Sequence, residues 1–244
     1  MNGREVNIVL KYEQIANDIR NKIVNDTFSV NSQLPLEKEI MKEYNVSRIT
    51  VKKAYDILVE EGLIIKRRGR GTFVKDIDED TALLFAKSRQ FLGFSTNMAQ
   101  SSIETKVSFF QVELPDEDVQ KKLKIGPNDW VYHFIRTRYK DGQPVVIEYT
   151  FMPMELIPGI TMEVLENSIY HYVEEDLKLK IQSAHRIITA YTPNEEQKKL
   201  LKLKDNVPVV NVEEITFLDT GKPFSFTQNV HNSEIFQYVS ITTK

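Results

Sequence analysis

A chain of 244 residues, 41% of them apolar, holds enough material for one large domain or two ordinary ones with real hydrophobic cores. A formal charge of -3 and zero cysteines exclude a uniformly basic nucleic-acid binder, a disulfide framework and thiolate metal ligation. No apolar run approaches the roughly 20 residues of a membrane span, and the N-terminus MNGREVNIVLKYEQ lacks the apolar stretch of a signal peptide, so a cytoplasmic protein without a membrane partner is expected.

The charge is unevenly placed. Residues 1–75 carry 14 Lys or Arg against 10 Asp or Glu, a balance of +4, whereas residues 76–244 carry 18 against 25, a balance of -7. That asymmetry predicts two units with different partners. The acidic run KDIDEDTA, Lys75 to Ala82, lacks apolar periodicity and reads as the join. The expected division is a first domain over 1–75, a linker over 76–83 and a second domain over 84–244.

In chain order, Tyr12 to Asn25 sets Ile15, Ile19 and Ile23 at helical spacing, with Asp18, Arg20 and Asn21 elsewhere, and predicts an amphipathic first helix. After the loop DTFSVNSQLP, the segment LEKEIMKEY repeats the pattern through Leu36, Ile40 and Tyr44, and Asn45 suits a left-handed stop. A third helix is expected to begin at Ser47, whose hydroxyl can cap the next turn. Its core stripe is Val51, Ala54, Tyr55 and Leu58, which turns Ile49, Lys52, Lys53 and Asp56 outward and leaves Arg48 and Thr50 at an exposed first turn. Gly62 ends it. Beyond that point LIIKRR and GTFV read as two short strands joined by RRGRG.

Three helices followed by a hairpin with a cationic tip make a winged helix-turn-helix, whose second helix of the turn enters the major groove by its N-terminal end. Ser47, Arg48 and Thr50 have the reach and the donors for base edges and backbone, and the wing cations suit phosphates, where counterion release drives binding. A cationic helix face by itself is usually only a solvated face. A purely structural turn, however, does not require five cationic groups between Lys66 and Lys75.

The stretch LPLEKEIMKEYNVSRITVKKAYDILVEEGLIIKRRGRGTFV resembles the DNA-binding domain of the GntR family of bacterial transcription regulators, over roughly residues 10–75. The resemblance implies that Lys38, Ser47, Arg48, Thr50, Lys52 and the wing residues Arg68, Gly69, Arg70 and Gly71 touch DNA. Three positions depart from the family pattern. Leu36 replaces a small polar cap, and Asp26 and Asn31 stand where glycine is frequent, although both types tolerate a left-handed backbone.

The remainder contains an internal repeat. The segment from Leu114 lines up with the segment from Thr192: Pro115 matches Pro193, Leu123 matches Leu201, Asp141 matches Asp219 and, after one insertion, Pro144 matches Pro223. Each copy reads as a short helix, a strand, a turn and a second strand. The two copies predict pseudo-symmetric halves around a mixed or antiparallel sheet, with a helix over about Ile169 to Lys178 between them.

This region is similar to the UTRA ligand-sensing domain of the HutC subfamily of GntR regulators. The resemblance implies an α/β domain related in fold to chorismate lyase, making the whole chain α+β, with a small effector bound between the halves and a homodimer formed through the sheet. In IRTRYKDGQPVVIEYTF, Arg136 and Arg138 lie two apart on a strand and point to one face, matching the bidentate geometry of a phosphate or carboxylate. Glu148 on the returning strand can accept from a sugar hydroxyl. The alternative is a solvated strand face with one salt bridge. Gly93, Phe94, Ser95 and Thr96 of the loop LGFSTNM are a candidate anion cradle.

Ser225 stands where sugar-phosphate members tend to show a glutamate, and His231 opens a segment that departs from their pattern; both remain candidate effector contacts. The four histidines show no metal-ligand spacing. No metal, cofactor or catalytic constellation is expected. The reading is a repressor of a carbohydrate-use operon, bound as a homodimer to a near-palindromic operator and controlled by a sugar phosphate. The alternatives are a sensor of another anion such as a carboxylate, and an enzyme with a DNA-binding appendage.

Overall fold

The computed structural model describes residues 10–76 and 103–238. Contacts divide the chain into two compact units.

The first unit runs α1 (Lys11–Val24), α2 (Glu37–Tyr44), α3 (Arg48–Glu60), β1 (Ile64–Arg67) and β2 (Gly71–Val74). Ile15 and Ile19 of α1, Ile40 of α2 and Val51, Ala54, Tyr55 and Leu58 of α3 share one core with Leu34, Leu63, Ile64 and Val74. The expected stripe of α3 is thus the buried one. Local chemistry sets the corners. Asn45 ends α2 at φ 49°, and the Ser47 hydroxyl accepts from the Thr50 amide at 3.3 Å to start α3. Asp26 and Asn31 take φ 54° and 63°, as expected of residues standing in for glycine. Leu36 supplies no side-chain cap, but the Glu39 carboxylate accepts from the Leu36 amide at 2.8 Å, so half of a capping box survives. Across the core, the Tyr55 hydroxyl donates to the Pro35 carbonyl at 2.7 Å, and Arg20 makes a two-pronged ion pair with Glu61 at 2.9 and 2.6 Å.

The second unit is a six-stranded antiparallel sheet in the order β3-β4-β5-β8-β7-β6. Its strands are β3 (Ile103–Glu113), β4 (Val131–Lys140), β5 (Gln143–Pro153), β6 (Ile181–Tyr191), β7 (Val209–Leu218) and β8 (Pro223–Asn232). Helices α4 (Glu117–Leu123) and α7 (Glu195–Leu201) pack on one face, with Val119 and Leu123 against Phe226 and with Leu201 against Ile147 and Val230. The short α5 (Met162–Glu166) and α6 (Ile169–His171) contribute Leu165 and Ile169 to a separate core with Tyr132, Phe134 and Met152.

The repeat extends further than the sequence shows. The first three elements of the first copy recur 78 residues later, β3 as β6, α4 as α7 and β4 as β7, and β5 recurs as β8 after the inserted residue. Even the caps correspond. Asp116 and Asn194 accept from the amides of Val119 and Gln197, both at 2.8 Å, and Lys124 and Lys202 close the helices at φ 56° and 51°. The central pairing is β5 with β8, where Tyr149 faces Gln228. These two occupy equivalent positions once the inserted residue is counted, so the pseudo-twofold passes between them. The helix expected over Ile169 to Lys178 departs from regular α geometry: α6 continues as a π-helical turn over Tyr172–Asp176, and Lys178 takes φ 55°.

Candidate functional site

In the first unit the candidate residues gather on two features. At the start of α3, the Arg48 side chain is 78% exposed, and its Nε donates to Oε2 of Glu37 at 2.8 Å. The Ser47 and Thr50 hydroxyls lie 2.9 Å apart, and Lys38 and Lys52 are exposed nearby along α2 and α3. A groove of about 410 Å³ joins these elements to the wing, with Lys38, Arg48 and Gly71 among its lining residues.

The second feature is the hairpin tip. Arg67 pairs with Gly71, which leaves Arg68, Gly69 and Arg70 as the loop, all exposed. Gly69 and Gly71 take φ 72° and 111°, conformations that a side chain would strain. Gln33, bridged to Phe73, donates its side-chain amide to the Arg70 carbonyl at 3.2 Å. A β-carbon on Gly71 would come within 2.4 Å of that amide nitrogen, so the glycine makes room for the clamp as well as for the turn. Lys66 is committed to Asp56 at 2.6 Å, whereas Arg67 lies over the Phe73 ring at 4.7 Å. Glu37 and Gln33 thus hold the arginine of the helix and the tip of the wing, and neither was singled out in the sequence.

In the second unit, Arg136, Arg138, Glu148 and Ser225 lie on the sheet face that carries Phe134 and Met152, with exposures of 6, 3, 7 and 3%. The face is buried, which disposes of a solvated strand. Arg136 and Glu148 sit opposite each other: Nε and Nη2 donate to the same carboxylate oxygen at 2.8 and 2.5 Å, and Nη1 donates to the Leu165 carbonyl at 2.8 Å. Arg136 therefore has an internal counter-charge and a carbonyl from α5, and Glu148 is engaged in holding it. The equivalence of the two arginines expected from the sequence does not survive. Burial pulls the Arg138 guanidinium below its ordinary value, with Glu148 opposing and Arg136 adding to the depression.

Ser225 shares its hydroxyl with Thr227 at 3.2 Å, and Thr150 donates to Thr227 at 3.3 Å. His231 faces Val146 and Val210, with its ring 4.5 Å from that of Phe236. Burial pushes this imidazole down to about 4, with Glu148 pulling the other way. Gly93, Phe94, Ser95 and Thr96 lie outside the described residues, as does most of the expected linker.

The same face carries a second polar group that the sequence did not suggest. Glu214 takes the position in the second repeat that Arg136 takes in the first. Its carboxylate accepts from Arg186 and from the Tyr170 hydroxyl, the latter at 3.1 Å, while Thr216 lies 3.2 Å from the same hydroxyl. Burial and the neighbouring carboxylate raise the Tyr170 phenol, so it stays a neutral donor. One half of the pseudo-symmetric face is cationic, and the other offers a carboxylate and hydroxyls.

Comparison with known proteins agrees with both units. Residues 11–74 match the model of the bacterial regulatory proteins of the gntR family, and residues 99–237 match the UTRA domain. The HTH-type transcriptional regulator GmuR of Bacillus subtilis is 38% identical over 96% of this chain and 99% of its own. The mannosyl-D-glycerate transport/metabolism system repressor MngR of Escherichia coli is 31% identical over 96% of each. The crystal structure of the possible transcriptional regulator YydK of Bacillus subtilis superimposes with a TM-score of 0.78 at 27% identity, covering 96% of this chain and 100% of that one.

Proposed function

The chain belongs to the gntR family of bacterial regulatory proteins and carries a UTRA domain, and on that premise we propose that it represses a carbohydrate-use operon under the control of a small phosphorylated sugar. The observation that carries this reading is the pairing, in one chain, of an exposed cationic winged helix with a buried sheet face bearing Arg138. Ser47, Arg48 and Thr50 meet base edges and the adjacent backbone; Lys38, Lys52, Arg68 and Arg70 meet phosphates; Gly69 and Gly71 let the wing approach closely. One winged helix spans a half-site, so the working form is a homodimer on a near-palindromic operator in the cytoplasm.

On the effector side, Arg138 meets the anion and the Arg136–Glu148 pair fixes the floor beside it. Ser225, His231 and the Gly93 to Thr96 loop complete the contacts, in an arrangement that belongs to the HutC subfamily. The chain returns its ligand unchanged, as a sensor does, and is no enzyme. A carboxylate in place of the phosphate is the second reading. It is favoured by the resemblance to a repressor named for mannosyl-D-glycerate, because a guanidinium receives carboxylate and phosphate with the same fork. Selection of bound sequences from randomised DNA, followed by displacement with phosphorylated, carboxylated and neutral sugars, tests the proposal. Selection of no sequence, or displacement by neutral sugars alone, overturns it.

A further inference from the structure

Ile49 has no part in the roles assigned so far. It stands in the first turn of α3 between Arg48 and Thr50 and is 81% exposed, the highest value for any large apolar side chain among the described residues. Val51, Ala54, Tyr55 and Leu58 bury the opposite side of the helix, and the next residues on the side of Ile49, Lys52 and Lys53, are exposed cations. An isolated exposed isoleucine is ordinary on a protein surface. This one, however, stands where a helix-turn-helix presents its residues to base edges, and no other large apolar side chain of α3 is exposed to build a protein-binding patch.

Base edges in the major groove offer donors, acceptors and one apolar group, the C5-methyl of thymine. An isoleucine cannot use the polar groups and gains only from the methyl. Its branch at Cβ leaves one strongly preferred χ1 rotamer on a helix, so the side chain meets that methyl with little rotamer freedom to lose. We propose that Ile49 is a specificity-determining residue that reads a thymine through its C5-methyl, at a base pair neighbouring the one met by Arg48. The inference rests on the DNA-reading role of α3 and adds to it a base identity.

The test uses the full chain and the site it selects from randomised DNA. Each thymine of that site is replaced in turn by deoxyuridine, which removes the methyl and leaves the hydrogen-bonding groups in place, and binding is followed by fluorescence anisotropy. For the wild type, one substitution in each half-site is expected to weaken binding about three- to fivefold, the worth of one buried methyl-sized group. Ile49→Ala, which touches no core, is expected to bind the thymine and deoxyuridine forms equally. If no thymine in the site is sensitive, or if Ile49→Ala keeps the full sensitivity of the wild type, the inference is overturned. Arg48→Ala separates the two levels. If it relaxes base preference while deoxyuridine has no effect, the α3 reading stands and the role of Ile49 falls; a chain that selects no sequence overturns both.

Discussion

Arg136 and Glu148 stand opposite each other on β4 and β5, both buried, with two guanidinium nitrogens on one carboxylate oxygen. The pair lies where two free cationic forks were expected, and it changes what each residue is for. Removing one partner of such a pair strands a buried charge, whereas removing both leaves none. Glu148→Leu alone is therefore expected to lower the urea stability of the second unit by about 3–5 kcal/mol. Adding Arg136→Met should recover most of that loss. A double variant as unstable as the sum of the singles would show that the two groups act independently.

Gly71 is constrained twice, by φ 111° and by the Gln33 amide that a β-carbon would meet at 2.4 Å. Gly71→Ala is expected to cost on the order of 1–3 kcal/mol, mostly in backbone strain. The far end of Gln33 can swing aside, at the loss of its bond to Arg70. Combining Gln33→Ala with Gly71→Ala should then cost little beyond Gly71→Ala, measured by thermal melting. A double variant restored to wild-type stability would mean that the contact, and not the backbone, decides.

On the proposed DNA-binding reading, Arg48 and Arg70 are expected to separate base reading from backbone holding. Arg48→Ala is expected to cost about 1–3 kcal/mol on the selected site and to relax preference at one base position. Arg70→Ala should weaken selected and random DNA alike and reduce the slope of log affinity against log salt by about 1. Because Glu37 holds the Nε of Arg48, Glu37→Gln is expected to blur the same base position while leaving the salt slope unchanged. Equal losses on both DNAs for Arg48→Ala would remove its base-reading role.

The first unit was legible because its signals are local: the stripe of α3, the hydroxyl at Ser47 and the left-handed residues at its corners act within one turn of themselves. The Glu37–Arg48 and Gln33–Arg70 contacts span 11 and 37 residues, which periodicity does not report. In the second unit, the repeat was readable from its prolines and turns but not in its outer strands. IETKVSFFQVE and IQSAHRIITAY share only their first residue, because an edge strand constrains little beyond alternation.

Register hid the ion pair. The two-residue turn at Asp141 and Gly142 pairs Lys140 with Gln143, and in an unbroken ladder that would set Arg136 opposite Ile147 and put Glu148 on the other face. An irregularity between Arg138 and Tyr139 shifts the pairing by one residue and brings Glu148 to Arg136.

His231 is expected to give the second unit a pH dependence. Its folded value of about 4 lies below the unfolded value near 6.5, so the unfolded chain binds more protons between the two. The contribution is present in full above about pH 6.5 and is lost as the pH falls toward 4, to a total of roughly 3 kcal/mol. Urea midpoints at pH 7 and pH 4.5 should therefore diverge more for the wild type than for His231→Gln. Equal shifts in the two proteins would show that the imidazole titrates freely in the fold.

Arg136 is neutralised by Glu148, whereas Arg138 is held below its ordinary value by burial with the charge of Arg136 beside it. An anion reaching this face is expected to gain at Arg138, since its charge would ease the repulsion between the two guanidiniums. Across the pseudo-twofold, Glu214, Thr216 and the neutral Tyr170 phenol offer acceptors and hydroxyls suited to a sugar. Calorimetric titration of Arg138→Met is accordingly expected to lose affinity for a phosphorylated sugar by about 10- to 100-fold, the worth of one charge-assisted contact. Its weak affinity for the neutral sugar should be unchanged. Arg136→Met with Glu148→Leu should retain most of the preference for phosphate over neutral sugar, because that pair brings no net charge to the face. If Arg138→Met binds the phosphate as the wild type does while the double variant loses it, the anion sits on Arg136 and the roles of the two arginines are reversed.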